Sequence, residues 1–194
     1  MEATRLTAFS DGFIAVIITI MVLGLRAPEG ANGAALEPVA PGILIYALSF
    51  VYLGIYWNNH HHFYQLVERV DGGVLWANLH LMFWLSLVPF TTAWVGAHAG
   101  APVPAAIYGA SLFLPALAWW LMRHVAVAAQ EKQSRLAQAL GGRVKEMGSV
   151  GLRGLGIGLS FWQAWLGYVF YTGVALWWLT PDRRIELAVE REQR

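Results

Sequence analysis

The chain of 194 residues contains no cysteine. That absence removes disulfides, thiolate metal sites, iron–sulfur clusters and cysteine nucleophiles. Charge is scarce as well: only 13% of residues are Asp, Glu, Lys or Arg, about half the share of an ordinary soluble domain. Disorder is excluded, because disordered chains are charged and poor in apolar residues. What is abundant is hydrocarbon. Hydrophobic residues make up 57% of the chain and mean hydropathy is +0.49. A water-soluble monomer of this composition would expose large apolar patches and associate, so a bilayer is the natural solvent. The ten Trp agree, since Trp gathers at the lipid–water boundary.

A transmembrane helix needs roughly 20 mostly apolar residues. Six stretches qualify, and the expected fold is all-α, a polytopic six-helix membrane protein forming a single domain over residues 1–194. The spans run about Leu6–Leu25, Pro41–Val67, Val74–Ala97 with Pro89 inside, and Val103–Val127 with Pro115 inside. The fifth and sixth share the apolar stretch Met147–Leu179, with a break expected near Gln163–Ala164. Pro89 and Pro115 are expected to kink their helices. The segment 128–146 is expected to be the main cytosolic connection, a helical extension of the fourth span carrying Glu131 and Arg135 at i,i+4 and stopped by Gly141-Gly142.

The cations orient this arrangement. With both termini in the cytosol, Arg5, Arg69, Arg123, Lys132, Arg135, Arg143, Lys145, Arg153, Arg183, Arg184, Arg191 and Arg194 fall inside and only Arg26 outside, as the positive-inside rule requires. Five spans would strand the last four outside. Asp11 at the head of the first apolar run and Arg26 at its tail argue against a cleaved signal peptide.

Ionisable groups at membrane depth are costly and mark candidate sites. Asp11 lies in the first span within Arg5-x-x-x-Phe9-Ser10-Asp11-Gly12, and the second carries Tyr56-Trp57-Asn58-Asn59-His60-His61-His62-Phe63. Counted from Arg5 and Glu68, Asp11 and His60 occupy one layer, roughly 9 and 12 Å inward. Asp11 is positioned to pair with a His and to accept from the Trp57 indole, and Ser10 to bond Asn59 or His60. Three readings remain open: a buried clamp between spans one and two, a proton relay or pH sensor, and a metal or haem site. The last is disfavoured because successive helical histidines point about 100° apart. His80, His98 and His124 sit at different depths and offer no pair.

The first span has a second feature. Phe9, Gly12, Val16, Thr19 and Leu23 fall on one helical stripe, with Ile20 beside it. Periodicity alone reads this as a packed helix whose Thr19 hydroxyl returns to the Ala15 carbonyl. Gly151, Gly154, Gly156 and Gly158 do not form a phosphate loop, since no strand precedes them and no Gly-Lys-Ser/Thr follows. Gly154-x-x-x-Gly158 reads instead as close helix packing, and Trp119-Trp120 and Trp177-Trp178 as interface anchors. Nothing in the sequence points to hydrolysis, and no enzyme is expected.

At Arg5-x-x-x-Phe9-Ser10-Asp11 the chain resembles prokaryotic members of the transmembrane protein 175 family of potassium channels. Four segments carry the resemblance in order: RLTAFSDGFIAVIITIMVLGL at 5–25, YWNNHHHFY at 56–64, SLVPFTTAWVG at 86–96 and TPDRRIE at 180–186. The resemblance implies six spans per subunit, a homotetramer in the plasma membrane, and a central pore lined by the first helix. K⁺ would be the permeant ion, with no cofactor, no bound metal and no nucleic-acid partner. Family pore positions carry over to Val16, Thr19 and Leu23, with Ile20 adjacent. The family's anchoring network maps onto Arg5, Phe9, Ser10, Asp11, Trp57, Asn59 and His60. The first constriction more often holds Ile or Leu, and Val16 departs from that. The rival function is a proton-coupled secondary transporter using Asp11 and the His60–His62 cluster. Inverted repeats with broken helices would mark a transporter, and none is visible.

Overall fold

A computed structural model describes residues 3–130, 136 and 143–179. Every extended element among them is helical. The first helix, α1, runs Ala3–Leu23. At 1.5 Å per residue its length is about 31 Å, enough to cross a hydrocarbon core. After a 3₁₀ turn at Gly33–Leu36, capped where the Asn32 side chain accepts from the Ala35 N–H, α2 spans Ala40–Gln65 with Pro41 in its first turn. Proline is suited there because its missing N–H has no intrahelical partner to lose.

The third apolar stretch is two helices end to end, α3 (Gly72–Ser86) and α4 (Val88–Ala97). Asp71 caps α3 by accepting from the Val74 N–H at 2.9 Å. Pro89 divides the pair at Leu87, as expected of a ring that cannot donate to the preceding turn. Pro115, by contrast, stays buried inside an unbroken α5, Pro102–Ala129. The last two described helices are α6 (Arg143–Ser160) and α7 (Ala164–Leu179). The turn between them, closed by Trp162 and Gln163 N–H groups on the Leu159 carbonyl, falls at the expected break. Among the described residues, four rods are long and apolar enough to span: Ala3–Leu23, Ala40–Gln65, Gly72–Ala97 and Pro102–Ala129. The hairpin α6–α7 is shorter, and α6 is lowered in hydropathy by the charged residues of its first turn and by Arg153.

The connection after α5 differs from expectation. The helix ends at Ala129, and Gln130 turns to extended backbone at φ −91°, ψ 168°. Its side chain then holds the α2–α3 loop: the amide oxygen accepts from the Glu68 and Arg69 N–H groups, and the amide nitrogen donates to the Arg69 carbonyl at 2.8 Å. The Glu131–Arg135 pair, the Gly141-Gly142 stop and the TPDRRIE segment lie outside the described residues.

Lipid tails are as apolar as leucine, so burying hydrocarbon does not by itself hold membrane helices together; close packing and interhelical hydrogen bonds do. Close packing centres on Tyr171 of α7. A methyl at Gly109 of α5 would overlap its hydroxyl, and one at Gly156 of α6 would come within 2.8 Å of its ring. Gly167 is equally closed, its face filled by the Ser160 hydroxyl. The expected Gly154-x-x-x-Gly158 contact is not the one used: a methyl at Gly158 would meet nothing within 4 Å, and one at Gly154 only the Phe113 ring edge at 3.9 Å. One further expectation is corrected. Trp119 is a core residue, packed on Phe63 at 5.4 Å and edge-on to Tyr56 at 6.4 Å. Arg153 is buried in α6.

Candidate pore helix and its anchoring network

The helix α1 has two unlike faces of similar hydrocarbon content. Leu6, Ser10, Ile14, Ile17 and Met21 recur every three or four residues and are all buried. Opposite them, Phe9 is 50% exposed, Val16 55%, Ile20 49% and Leu23 81%. Gly12 and Thr19 lie on the same exposed side. The sequence stripe is therefore bare in the isolated chain. Thr19 Oγ1 donates to the Val16 carbonyl at 2.9 Å, one residue nearer than the expected Ala15 carbonyl. Its proton is engaged with the backbone, and its remaining lone pairs face outward.

On the buried face, polar groups are linked in series. Ser10 Oγ donates to the Leu6 carbonyl at 3.0 Å and accepts from Asn78 Nδ2 at 3.0 Å. Asn78 Oδ1 in turn accepts from His60 Nε2 at 2.8 Å. Ser10, Asn78 and His60 are each fully buried, and they join α1, α3 and α2. With the amide nitrogen facing Ser10, the ring must carry its proton on Nε2. His60 Nδ1 and Asp11 Oδ1 are both buried without a hydrogen-bond partner among the described residues.

This network differs from the expected pairings. Ser10 reaches His60 through Asn78 rather than directly, and it does not touch Asn59, whose amide closes on the Ile55 carbonyl of its own helix at 2.8 Å. Trp57 is 46% exposed, and its ring stacks on His61 at 6.2 Å. Arg5 is exposed on α1, and Phe9 packs beside Phe13. The structure therefore joins Ser10 to His60 through Asn78, leaves Asp11 Oδ1 unpaired among the described residues, and keeps Arg5, Phe9, Trp57 and Asn59 on or near the outer surface of the chain. The three consecutive histidines diverge: His60 turns inward, and His61 meets Gln65 Nε2 at 3.0 Å. The other histidines bond locally, His80 accepting from the Trp84 indole at 2.8 Å and His98 and His124 reaching the Trp94 and Trp120 carbonyls.

Asn78 was missed although it carried a signal, an amide inside an apolar run. A second group was also missed because hydroxyls are common in spans and their partners are remote in sequence. Ser49 Oγ lies 2.8 Å from Thr92 Oγ1 and 2.9 Å from Tyr108 Oη. Thr92 Oγ1 also contacts Met21 Sδ at 3.9 Å. Thr91 and Ser111 pair at 2.7 Å, and Tyr52 donates to the Tyr171 carbonyl at 2.6 Å. These contacts tie α2, α4, α5 and α7 together and reach the buried face of α1 through Met21.

Comparison with known proteins sets this geometry in context. A family model described as the endosomal/lysosomal potassium channel TMEM175 matches residues 5–89. A protein of a Chryseobacterium species named a potassium channel is 47% identical over 190 residues, covering 98% of this chain and 99% of the relative. One from Streptomyces collinus, also named a potassium channel, is 34% identical over 131 residues, covering 61% of this chain and 64% of its own length. Among solved structures, the crystal structure of a lysosomal potassium-selective channel TMEM175 homolog from Chamaesiphon minutus superposes with a TM-score of 0.79 at 25% identity. It covers 92% of this chain and 96% of that one.

Proposed function

The chain belongs to the TMEM175 family, and from that premise we propose that it is a potassium-selective channel whose pore is lined by α1. The observation that carries the reading is the contrast across α1. Ser10 and Met21 are held from behind, whereas Val16, Thr19, Ile20 and Leu23 are left bare. A bare apolar face needs a neighbour or lipid. Four identical chains around one axis would give it a shared boundary with permeating ions.

In such a homotetramer, rings of Val16, Thr19 and Leu23 lie about 4.5 and 6 Å apart along the axis. The chain lacks the Thr-Val-Gly-Tyr-Gly filter, so no ladder of backbone carbonyls replaces the ion's water. Apolar rings close a neck by dewetting. When open, they strip part of the hydration shell, and K⁺ surrenders water at lower cost than Na⁺. The Thr19 ring supplies oxygen at that point, because its hydroxyl proton is directed to Val16 and its lone pairs remain available. Val16 is smaller than Ile or Leu and leaves a wider ring, which weakens selectivity at that level. The Ser10–Asn78–His60 link, with Asp11 beside it, serves as the clamp that fixes the rotation of α1, so that the stripe and not its neighbour faces the axis. The plasma membrane is the expected site of action.

Planar-bilayer recording of the purified protein under asymmetric KCl and NaCl tests this reading. Large unitary currents reversing near the K⁺ equilibrium potential are expected. Val16→Asn and Leu23→Asn should hydrate the neck and move the reversal potential toward zero; an unchanged reversal potential in both would remove these residues from the pore. Saturable flux coupled to protons, without unitary currents, would favour the transporter.

A further inference from the structure

Away from α1, a cavity of about 280 Å³ opens between α2, α5, α6 and α7. Its walls are nearly all hydrocarbon and aromatic ring, including Ile55, Leu117, Trp120, Met147, Val150 and Trp178. Leu117, Trp120 and Met147 are also exposed at its open side, at 40%, 44% and 64%. Against this apolar lining stands Arg153, only 4% exposed. One of its terminal nitrogens donates to Ser149 Oγ at 3.3 Å, and the guanidinium lies 5.3 Å from the centre of the Tyr52 ring. Its Nε is buried and has no hydrogen-bond partner among the described residues.

A buried cation is tolerated when an anion and hydrogen bonds compensate it. No carboxylate of the described residues stands within 4 Å of Arg153; Glu146, the acid on the cavity wall, is paired with Arg123. The site thus offers a guanidinium whose Nε–H is unpaired among the described residues, in a cavity whose exposed lining is mostly apolar. That combination fits an amphiphile with an anionic head. The planar guanidinium fork matches phosphate oxygens two at a time, and a cavity opening past exposed apolar side chains is reached from the bilayer. We propose that the cavity holds an anionic phospholipid, its phosphate on Arg153 and an acyl chain along the apolar walls.

This assignment is independent of the pore reading and can fail without it. Native mass spectrometry of the full-length protein, with phosphatidylglycerol or phosphatidylcholine added to the detergent, reads it directly. Retention of phosphatidylglycerol in preference to phosphatidylcholine is expected, with binding weakened at least tenfold by Arg153→Gln. Leu117→Trp keeps the cation and fills the cavity, so it should weaken binding similarly, and it decides the matter if Arg153→Gln fails to fold. Undiminished phosphatidylglycerol binding in either folded variant overturns the proposal. So does equal retention of both phospholipids, or retention of oleate, added as a probe for free carboxylate, with phosphatidylglycerol refused.

Discussion

The two faces of α1 are made of nearly the same material and behave differently. Both are rich in aliphatic side chains. One is buried by α2, α3 and α4 and carries Ser10 and Met21 into two separate polar groups. The other, from Phe9 through Leu23, stays about half exposed or more among the described residues. In water such a difference would show as polarity. In a membrane it does not, because lipid accepts an apolar surface. The difference therefore resides in hydrogen bonds and packing, and the most informative substitutions are those that alter one face while sparing the other.

Asn78→Leu should have the largest effect. It removes the shared partner of Ser10 and His60, and each buried polar group left unpaired costs about 1–3 kcal/mol. A marked fall in the temperature at which the detergent-solubilised protein loses its monodisperse elution peak is expected. Ile20→Ala on the bare face should scarcely move that temperature. Equal losses would erase the distinction between the faces. Asp11→Ala should come next, chiefly by harming assembly. A mutant that assembles normally but responds differently to pH would instead place Asp11 in a sensor. Tyr108→Phe, which removes one partner of Ser49, should cost about 0.5–1.5 kcal/mol in the same assay; no change would show that the Ile45 carbonyl and Thr92 already satisfy Ser49. Gln130→Ala should be the mildest, leaving thermal stability within about 0.5 kcal/mol while speeding hydrogen exchange at the Glu68 and Arg69 amides. Unchanged exchange there would mean the loop holds itself.

Much of this architecture is legible in the sequence, because helix-forming apolar runs and their interruptions are local. The break expected near Gln163–Ala164 falls where α7 begins, and Pro89 divides α3 from α4. Pro115 lies inside a single helix, α5, as the span Val103–Val127 anticipated. What was hidden depends on contacts between distant segments. Spacing showed the Val16–Leu23 stripe, but only the family resemblance suggested which way it turns. The Ser10–Asn78 bond joins positions 68 apart. The glycines also illustrate this: the regular Gly154-x-x-x-Gly158 pair has room to spare, whereas Gly109 and Gly167, isolated in the sequence, are closed by Tyr171 and Ser160. A small residue is required where a large one arrives from another helix, and no pattern along one helix records that arrival.

The absence of cysteine from the chain makes the central claim directly testable. Single cysteines placed at Val16, Thr19 and Leu23, and at the exposed Leu44 of α2 as a control, would be the only thiols present. A charged, water-soluble thiol reagent applied during bilayer recording should block current through the Thr19→Cys and Leu23→Cys channels and leave the Leu44→Cys channel unaffected. Current that persists after modification along the α1 stripe, or block only at Leu44, would contradict a pore lined by this helix.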